Sequence, residues 1–374
     1  MKRNIMNWQK ELKTNIKSIK KLQNFINFDK NEIKKIKEVV KYHPLSISRY
    51  YLSLIDRNNK NDPIKKMMIP SSEELLPGGD YDPSKEKANT KLVGLQHKYS
   101  ETALLLITNR CASYCRYCFR KRMIALSTDE IIKKFSDAIK YIKNHTEINN
   151  VLLSGGDPLT LSTKLLNTLL SKLSKIEHLN FIRIGTKVPV SFPNRIINDN
   201  ELLEVLKQIN QKKRIYITTH FNHNNEITEK STEAIEMLIK SGILVNNQSV
   251  LLKDINDNAQ KLGKLQKNLV KIGINPYYIF QCRPAMKVKN QFQVPIYKGI
   301  KITEEAKKYM DGYSKKFRYI LSHTVGKFHI LGNDDKRIYF KYYEVKDKKY
   351  YGKIFSRKID KNATWLSEKK LKLI

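Results

Sequence analysis

Three cysteines lie close together in the first half of the chain. Cys111, Cys115 and Cys118 have three and then two residues between them, in the stretch LLLITNRCASYCRYCFRKR. Three closely spaced thiolates can hold three irons of a 4Fe–4S cluster and leave the fourth iron open to a small molecule. The remaining cysteine, Cys282, lies far away along the chain. The spacing therefore predicts an iron–sulfur centre with one open coordination position.

Structural zinc is the main alternative for these thiols. Zinc takes four ligands and usually uses short paired spacings. The fourth ligand here would be Cys282 or a distant histidine, because no second Cys/His pair lies nearby. The amino-terminal stretch MKRNIMNWQKELKTNIKSIKK lacks an apolar signal core, so we expect a cytoplasmic location, where disulfides are disfavoured. The spacing thus favours the iron–sulfur centre.

The elements that position the cysteines are strand-like apolar runs, most of them separated by helical patterns. The strand-like runs are residues 103–108, 151–154, 181–184, 215–218, 244–252 and 277–280, and the helical patterns are residues 129–144, 161–176, 200–210, 228–241 and 258–272. Such alternation predicts a parallel sheet with helices outside it. Six units are too few for an eight-stranded barrel. We therefore predict an α/β fold with a partial, open TIM-like barrel, and the cysteines follow its first strand, at the active-site end.

The same patterns divide the chain into three predicted regions. Residues 1–95 form an N-terminal helical region, residues 96–295 the partial barrel, and residues 296–374 a mixed α/β C-terminal region. Shorter elements are expected within the outer regions: a helical pattern over 8–26, a helix near 303–315, and strands near 328–331 and 338–343.

The composition bounds the function classes. The chain has 374 residues, of which 40% are hydrophobic, so it can bury a sizeable core. No run of 18 or more apolar residues occurs, so we expect no membrane span. The net charge is +35, but the lysines are spread along the chain rather than gathered into one patch. Because a basic balance alone reports only non-specific attraction, we expect no dedicated nucleic-acid site.

The cysteine spacing, with Tyr117 before the last cysteine, resembles the motif of the radical S-adenosylmethionine (SAM) superfamily. Further stretches are similar to those of lysine 2,3-aminomutase and its relatives, in that family's order: VLLSGGDPL, RIGTKVPV, HFNHNNEIT, NQSVLLKDIND and PYYIFQC. The resemblance implies a 4Fe–4S cluster that cleaves SAM to a 5′-deoxyadenosyl radical. It also implies pyridoxal 5′-phosphate as carrier of the migrating nitrogen, an amino acid substrate, and an electron donor of the flavodoxin or ferredoxin type. Whether the enzyme forms a homo-oligomer is left open by the resemblance.

The glycine-rich turn after the second strand is a predicted cofactor site. Ser154-Gly155-Gly156-Asp157 contains glycines, which let a backbone approach a ligand closely. The resemblance implies that this ligand is the amino acid end of SAM, whereas the alternative is an ordinary strand-to-helix turn. Later strands contribute three further candidates, which either line the cofactor pocket or are hydrogen-bonded core groups: His220, His223 and Gln248.

The resemblance places the pyridoxal lysine at Lys327, in SHTVGKFHILG, and phosphate contacts at Lys98 and Tyr99, in HKYSETALLL. The chain departs from the family pattern at three points. Of the family's glycine run only Gly326 remains, Thr102 stands where a second arginine is expected, and Phe280 replaces a tyrosine. These changes weaken the expected pyridoxal phosphate site without removing it.

Arg120 is the candidate for holding the substrate. It follows Cys118 at two residues' distance, and the resemblance implies that it binds the α-carboxylate, a bidentate contact that suits a guanidinium. The alternative is a solvated basic run, because Lys121 and Arg122 follow directly.

The far end of the substrate pocket differs from that of lysine-specific relatives. Those relatives hold the distal ammonium with two aspartates, where this chain has Arg283 and either Ser322 or His323. A cation in place of an anion reverses the preference of a pocket. We therefore expect an acidic or neutral amino acid rather than lysine.

Three hypotheses about function remain open. The first is an amino acid 2,3-aminomutase, a radical SAM isomerase. The second is a relative without pyridoxal phosphate that acts on another small molecule or on a protein. The third is a binding module for nucleic acid. A brown protein that cleaves SAM removes the third hypothesis, and a pyridoxal absorbance band separates the first two.

Replacing Cys115 with alanine should abolish reductive cleavage of SAM and remove most of the iron. Losing one thiolate leaves one iron of the cluster without its protein ligand. Iron content and the amount of 5′-deoxyadenosine formed are the measurements. A Cys115→Ala protein that produced 5′-deoxyadenosine at the wild-type rate would contradict the central prediction.

Overall fold

The computed structural model describes residues 7–367. The first six residues, which begin the basic amino-terminal stretch, and the last seven residues of the predicted C-terminal region lie outside the described part. No helix within residues 7–367 has the length and apolar character needed to cross a membrane.

The twelve strands within residues 7–367 belong to one sheet, and strands that follow one another along the chain are neighbours in it. The strands are β1 (Thr90–Leu92), β2 (Leu95–Tyr99), β3 (Thr102–Thr108), β4 (Asn150–Gly155), β5 (Phe181–Gly185), β6 (Arg214–Thr219), β7 (Leu244–Leu251), β8 (Asn275–Gln281), β9 (Arg318–Ser322), β10 (Gly326–Asn333), β11 (Arg337–Val345) and β12 (Ile354–Lys358). Strands β3 to β9 run parallel, whereas β1, β2 and β10 to β12 extend the sheet in antiparallel fashion at its two edges.

The prediction of a partial, open barrel is confirmed. Strands β3 to β8 are the six predicted strands, and β1 and β12 end the sheet without pairing with each other. The sequence reading missed β9, a seventh parallel strand of five residues. Its short apolar run shows no alternation and comes soon after the helical pattern predicted near 303–315, so periodicity alone does not distinguish it from the end of that predicted helix.

Helices cover the outside of the barrel and build the amino-terminal region. They are α1 (Trp8–Lys13), α2 (Ile19–Leu22), α3 (Lys30–Tyr42), α4 (Arg49–Ser53), α5 (Pro63–Met68), α6 (Phe135–Asn144), α7 (Thr163–Ser174), α8 (Val188–Ser191), α9 (Asn194–Ile197), α10 (Asn200–Lys212), α11 (Glu229–Lys240), α12 (Ala259–Lys271), α13 (Lys289–Phe292) and α14 (Ile296–Lys307). Helix α7 illustrates why they form: Ser162 caps its first turn, and Leu166, Leu169, Leu170 and Leu173 bury one face.

Three predicted helices differ in their bounds. Helix α6 begins at Phe135 rather than at 129. The segment before it hydrogen-bonds to the sheet instead, since the Ile132 N–H donates to the Leu106 carbonyl of β3. The predicted helix near 303–315 is α14, which begins and ends earlier. The helical pattern over 8–26 divides into α1 and α2, because Ile16 between them pairs with Ile47 as an isolated β-bridge.

The amino-terminal region packs against the cysteine loop and fixes its backbone. The Tyr114 N–H donates to the Ser46 carbonyl, and the Arg116 N–H donates to the Met67 carbonyl. The Asn15 side chain donates to the Ala112 carbonyl at 2.7 Å. Residues far from the barrel in sequence therefore hold the loop that carries the three cysteines.

The sheet is continuous across both predicted region boundaries, since β2 spans residue 95 and β8 pairs with β9 across residue 295. The division into three regions stays a prediction.

Contacts also bridge the open side of the barrel, where the two ends of the sheet approach each other. The Lys98 Nζ of β2 donates to the His323 carbonyl at 2.6 Å, and Lys348 lies 3.1 Å from Glu101.

Candidate active site

A cavity of about 400 Å³ opens at the carboxyl ends of the barrel strands and reaches sideways to β2, β10 and β11. Its lining brings together every predicted site residue except one: Lys98, Tyr99, Cys111, Cys115, Cys118, Arg120, Ser154, Gly155, Gly156, Asp157, His220, Gln248, Arg283 and Lys327. The exception is His223, which is partly buried beside the cavity and accepts a hydrogen bond from the Asn225 N–H. The predicted role of His223 in binding a cofactor finds no support in this geometry.

The three cysteines share the cavity, and burial raises the pKa of each thiol, that of Cys118 to about 11. Within residues 7–367, no three His, Cys, Asp or Glu side chains are gathered closely enough to form a metal site. Buried thiolates repel one another, so a bound cation would be needed to gather all three in their ionised form. Cys282 also lines the cavity, although it is far away in sequence.

The basic residue between two of the cysteines anchors the loop. Arg116 is fully buried, and its guanidinium donates to both carboxylate oxygens of Glu74, at 2.8 and 2.6 Å. The same carboxylate also pairs with Lys121 at 2.7 Å. Burial acts to raise the pKa of Glu74, but Arg116 and Lys121 outweigh it and lower the pKa. This ion-pair cluster was not predicted, because no sequence pattern links Glu74 to the motif.

Tyr117, the aromatic residue of the cysteine motif, belongs to a buried network. Its hydroxyl receives hydrogen bonds from the Asn222 Nδ2 at 2.7 Å and from the Lys187 Nζ at 3.0 Å. Lys187 in turn pairs with Glu226 at 2.7 Å, and Glu226 also accepts from the Tyr51 hydroxyl. The network joins the cluster loop to the ends of β5 and β6 and to the amino-terminal region. Lys187 and Glu226 lie in the stretches RIGTKVPV and HFNHNNEIT, but sequence reasoning gave neither residue a role, because no local pattern links the two.

Backbone conformation and close packing explain the glycines in the turn after β4. Gly155 has a φ of +120°, and a Cβ on Gly156 would lie 2.2 Å from the Arg110 carbonyl oxygen. The turn therefore packs directly against the chain that leads to Cys111. The Asp157 carboxylate accepts from the Thr186 hydroxyl at 2.6 Å and from the Lys187 N–H at 2.7 Å, so it fixes the adjacent strand end. The turn is therefore structural and also lines the cavity, and its contact with SAM stays a prediction.

His220 and Gln248 lie on one side of the cavity. The His220 Nδ1 contacts the Gln248 carbonyl at 2.5 Å, and its ring centre lies 5.7 Å from that of Tyr117. Burial, with a contribution from Lys187, lowers the pKa of His220 to about 4. His220 is therefore neutral at physiological pH and offers a planar, uncharged face beside the cluster loop.

The Arg120 guanidinium donates most of its hydrogen bonds to Glu86, a carboxylate that was not predicted from the sequence. Its Nε and Nη2 donate to Glu86, the shortest contact being 2.7 Å, and its Nη1 donates to the Ser154 hydroxyl at 2.9 Å and to the Gly155 carbonyl at 3.2 Å. Of its five N–H groups, one on Nη2 remains. A single charge-assisted hydrogen bond to a substrate is open in this geometry, not the bidentate contact that we predicted.

The basic run after Cys118 is not solvated, so that alternative is wrong. Lys121 and Arg122 are buried, and Arg122 pairs with Glu86 at 2.9 Å and with Glu130 at 2.5 Å. Glu130 lies in the segment that we had predicted as the start of a helix. The pairing of three consecutive cations with buried acids shows that this run is part of the site's framework.

The remaining end of the cavity is rich in cations. The Lys327 Nζ lies 2.8 Å from the Glu344 carboxylate, which faces it from the neighbouring strand β11. Tyr99 lies beneath two ammonium groups, with the Lys98 and Lys327 Nζ atoms 5.4 and 5.5 Å from its ring centre. Arg283 stands nearby and donates to the Ser322 hydroxyl at 2.8 Å.

Comparison with known proteins places this geometry in a family. Residues 105–265 match the family model described as the radical SAM superfamily. The L-lysine 2,3-aminomutase of Clostridium subterminale is 39% identical over 82% of this chain and 73% of its own. The chain belongs to the lysine 2,3-aminomutase family of radical SAM enzymes. An Aquifex aeolicus protein provisionally assigned to the same activity is 40% identical over 90% of both chains. The glutamate 2,3-aminomutase of Clostridioides difficile is 37% identical over 82% of this chain and 72% of its own.

Membership of this family implies a 4Fe–4S cluster and SAM, and the residues present fit both. The three thiols, Tyr117 and the turn at Ser154 line one cavity, and glycine backbone is exposed to it beside the cysteine loop. Thiolates hold the irons, whereas a turn without side chains admits the polar end of a bound cofactor. This cavity is therefore the candidate site for the cluster and SAM.

Exchanging Glu86 for glutamine should destabilise the enzyme in a pH-dependent way. Burial acts to raise the pKa of Glu86, but Arg120 and Arg122 lower it from the ordinary 4.5 to about 2. A carboxyl with a depressed folded-state pKa adds stability above its unfolded pKa and loses it as the pH falls through the folded value. The shift corresponds to about 3 kcal/mol at neutral pH.

The measurement is the free energy of unfolding of wild type and Glu86→Gln at about pH 7 and about pH 3. We expect the difference between the two proteins to shrink by more than half at the lower pH, because the unfolded wild type is then protonated. The control is Glu305→Gln, which removes an exposed pair with Lys308 and should change little. A Glu86→Gln deficit that is the same at both pH values would contradict this account.

Proposed function

We propose that this enzyme is a 2,3-aminomutase for an acidic or neutral amino acid, with an anionic one such as glutamate preferred, and that it uses pyridoxal phosphate. The observation that carries the proposal is the cation-rich end of the cavity, where Arg283 takes the place of an aspartate of lysine-specific relatives. The radical that starts the reaction comes from SAM cleaved at the cluster, with an electron from a flavodoxin- or ferredoxin-type donor.

Arg283 is held ready to receive an anion. Its guanidinium carbon lies 3.9 Å from the centre of the Phe119 ring, and Nη2 donates to the Ser322 hydroxyl. Burial lowers the pKa of Arg283 to about 10, so the side chain keeps its charge at neutral pH. A distal carboxylate on the substrate gains a charge-assisted hydrogen bond here, and a distal ammonium meets repulsion. The stacking and the Ser322 contact fix the guanidinium before the substrate arrives.

Arg120 supplies the second fixed charge. It lies at the cluster end of the cavity, beside Ser154, and its pairing with Glu86 holds it there. The one free N–H on Nη2 suits a single oxygen of the α-carboxylate. Both guanidinium carbons lie against the Phe119 ring, 4.8 Å from its centre for Arg120 and 3.9 Å for Arg283, so the two positive charges are close enough to hold the two carboxylates of one dicarboxylic amino acid.

Lys327 fits the chemistry of pyridoxal phosphate, which when bound supplies a covalent carrier for the migrating amino group. Burial lowers the pKa of Lys327, whereas Glu344 acts to raise it. A neutral amine is required for covalent attachment, and the Glu344 carboxylate is placed to accept the proton that Lys327 gives up. Lys98 and Tyr99 line the same end of the cavity, as expected for phosphate contacts.

Among amino acids, glutamate should support more turnover than lysine, and Arg283→Gln should lower kcat/KM for glutamate by roughly 100-fold, since an unpaired buried carboxylate costs several kcal/mol. Alanine has no distal carboxylate, so any turnover of alanine should change little in the variant. The measurement is the rate of β-amino acid formation with each substrate. A screen in which lysine is the best substrate, or a variant equally impaired with alanine, would defeat the Arg283 argument while leaving the radical chemistry intact.

Borohydride reduction followed by peptide mass mapping should find a phosphopyridoxyl group on Lys327, in protein made with excess pyridoxal phosphate. The reason is that Lys327 combines a lowered pKa with a carboxylate to take its proton. The control is Lys327→Ala, which should lose the adduct. An adduct on Lys98 instead would displace Lys327 from the site, and no adduct anywhere would favour the relative without pyridoxal phosphate that acts on another small molecule or a protein.

A further inference from the structure

Arg183, on β5, is a cavity residue with no role in the site as described so far. Its Nη2 donates to the Asn150 Oδ1 at 2.6 Å and lies 3.5 Å from the Thr102 hydroxyl. Its Nε is buried and has no hydrogen-bond partner within residues 7–367. A buried donor without a partner is costly, and the cost is relieved when a ligand accepts from it.

The surroundings of Arg183 carry an excess of positive charge. Burial, followed by the charges of Arg283, Lys346 and Lys327, lowers the pKa of Lys98 to about 7. Arg183 itself contributes to the lowered pKa of Lys327, after burial and against Glu344. Glu344 is already paired with Lys327. This end of the cavity therefore lacks the anion that would balance its cations, and such sites favour a bound dianion.

The position of Arg183 also relates to a gap in the expected phosphate contacts. Thr102 stands where the family resemblance leads us to expect an arginine, and the Arg183 guanidinium lies against Thr102. Thr102 pairs across the β2–β3 hairpin with Tyr99, and the Lys327 Nζ lies 5.5 Å from the Tyr99 ring centre. A molecule attached at Lys327 and passing over Tyr99 thus reaches Arg183.

We propose that Arg183 binds the phosphate of pyridoxal phosphate and supplies from β5 the guanidinium that Thr102 does not supply from β3. Together with Lys98 it forms the phosphate subsite of the cavity. The orphaned Nε and the free N–H groups of the guanidinium suit a bidentate contact to two phosphate oxygens. This inference rests on the proposed use of pyridoxal phosphate.

The test compares pyridoxal phosphate with pyridoxal, which has no phosphate, in binding titrations of the full chain followed by absorbance. Arg183→Gln should weaken binding of pyridoxal phosphate by roughly 10- to 100-fold and binding of pyridoxal by less than about twofold. Adding Thr102→Arg to Arg183→Gln should recover part of the lost affinity. Arg214→Gln, an exposed arginine at the start of the neighbouring strand β6, is the matched control and should change neither.

The outcomes separate this inference from the proposed function. If Arg183→Gln weakens the binding of pyridoxal phosphate and of pyridoxal equally, Arg183 acts through the fold. If its affinity for pyridoxal phosphate is unchanged and the Lys327 adduct still forms, the phosphate-binding role of Arg183 is wrong and the proposed function stands. A wild type that binds no pyridoxal phosphate would remove both. If Arg183→Gln does not fold, Arg183→Lys replaces it and should lose less affinity, still for the phosphorylated ligand only. In the wild type, inorganic phosphate should compete with pyridoxal phosphate; an absence of competition would also overturn the inference.

Discussion

Two buried carboxylates, Glu74 and Glu86, hold the cysteine loop in its place. Glu74 pairs with Arg116 and Lys121, and Glu86 pairs with Arg120 and Arg122. Removing one partner of such a buried pair leaves an uncompensated charge, at a cost of roughly 3–5 kcal/mol. The loop therefore cannot leave its position without exposing or stranding these charges, and the amino-terminal region that supplies both acids is as necessary to the site as the barrel.

The distribution of charge along the cavity explains how one space serves several ligands. At the cluster end every cation that we have described is matched by an acid, so this end presents thiols, glycine backbone and the neutral ring of His220. At the far end Lys98 and Arg183 lie near Glu344, which already pairs with Lys327, whereas Arg283 lies between the two ends, against the Phe119 ring. An acid-balanced end suits the cationic sulfonium of SAM, whereas the cationic end attracts phosphate and carboxylate.

The barrel edges also contribute to the chemistry. The parallel strands alone leave the sheet open, and the cavity would face solvent on that side. The antiparallel strands β2, β10 and β11 lie across the opening and bring Lys98, Lys327 and Glu344 to the cavity. The hydrogen bond from Lys98 to the His323 carbonyl fastens the two edges together. The partial barrel therefore gains a second group of cavity-lining residues from the strands that cover its gap.

The sequence by itself determined those features that are encoded locally. The cysteine spacing, the glycines at 155 and 156 and the apolar runs of β3 to β8 each lie within a few residues, so motif and periodicity were sufficient for the cluster, the parallel sheet and the open barrel. Tertiary structure decided which charges meet. Glu86 reaches Arg120 across 34 residues and Lys187 reaches Glu226 across 39, and such pairs have no local pattern because the chain path, not the spacing, sets their distance. The same reason explains why His223 was expected in the cavity and lies outside it, and why Arg183, to which the stretch RIGTKVPV gave no role, lines the cavity.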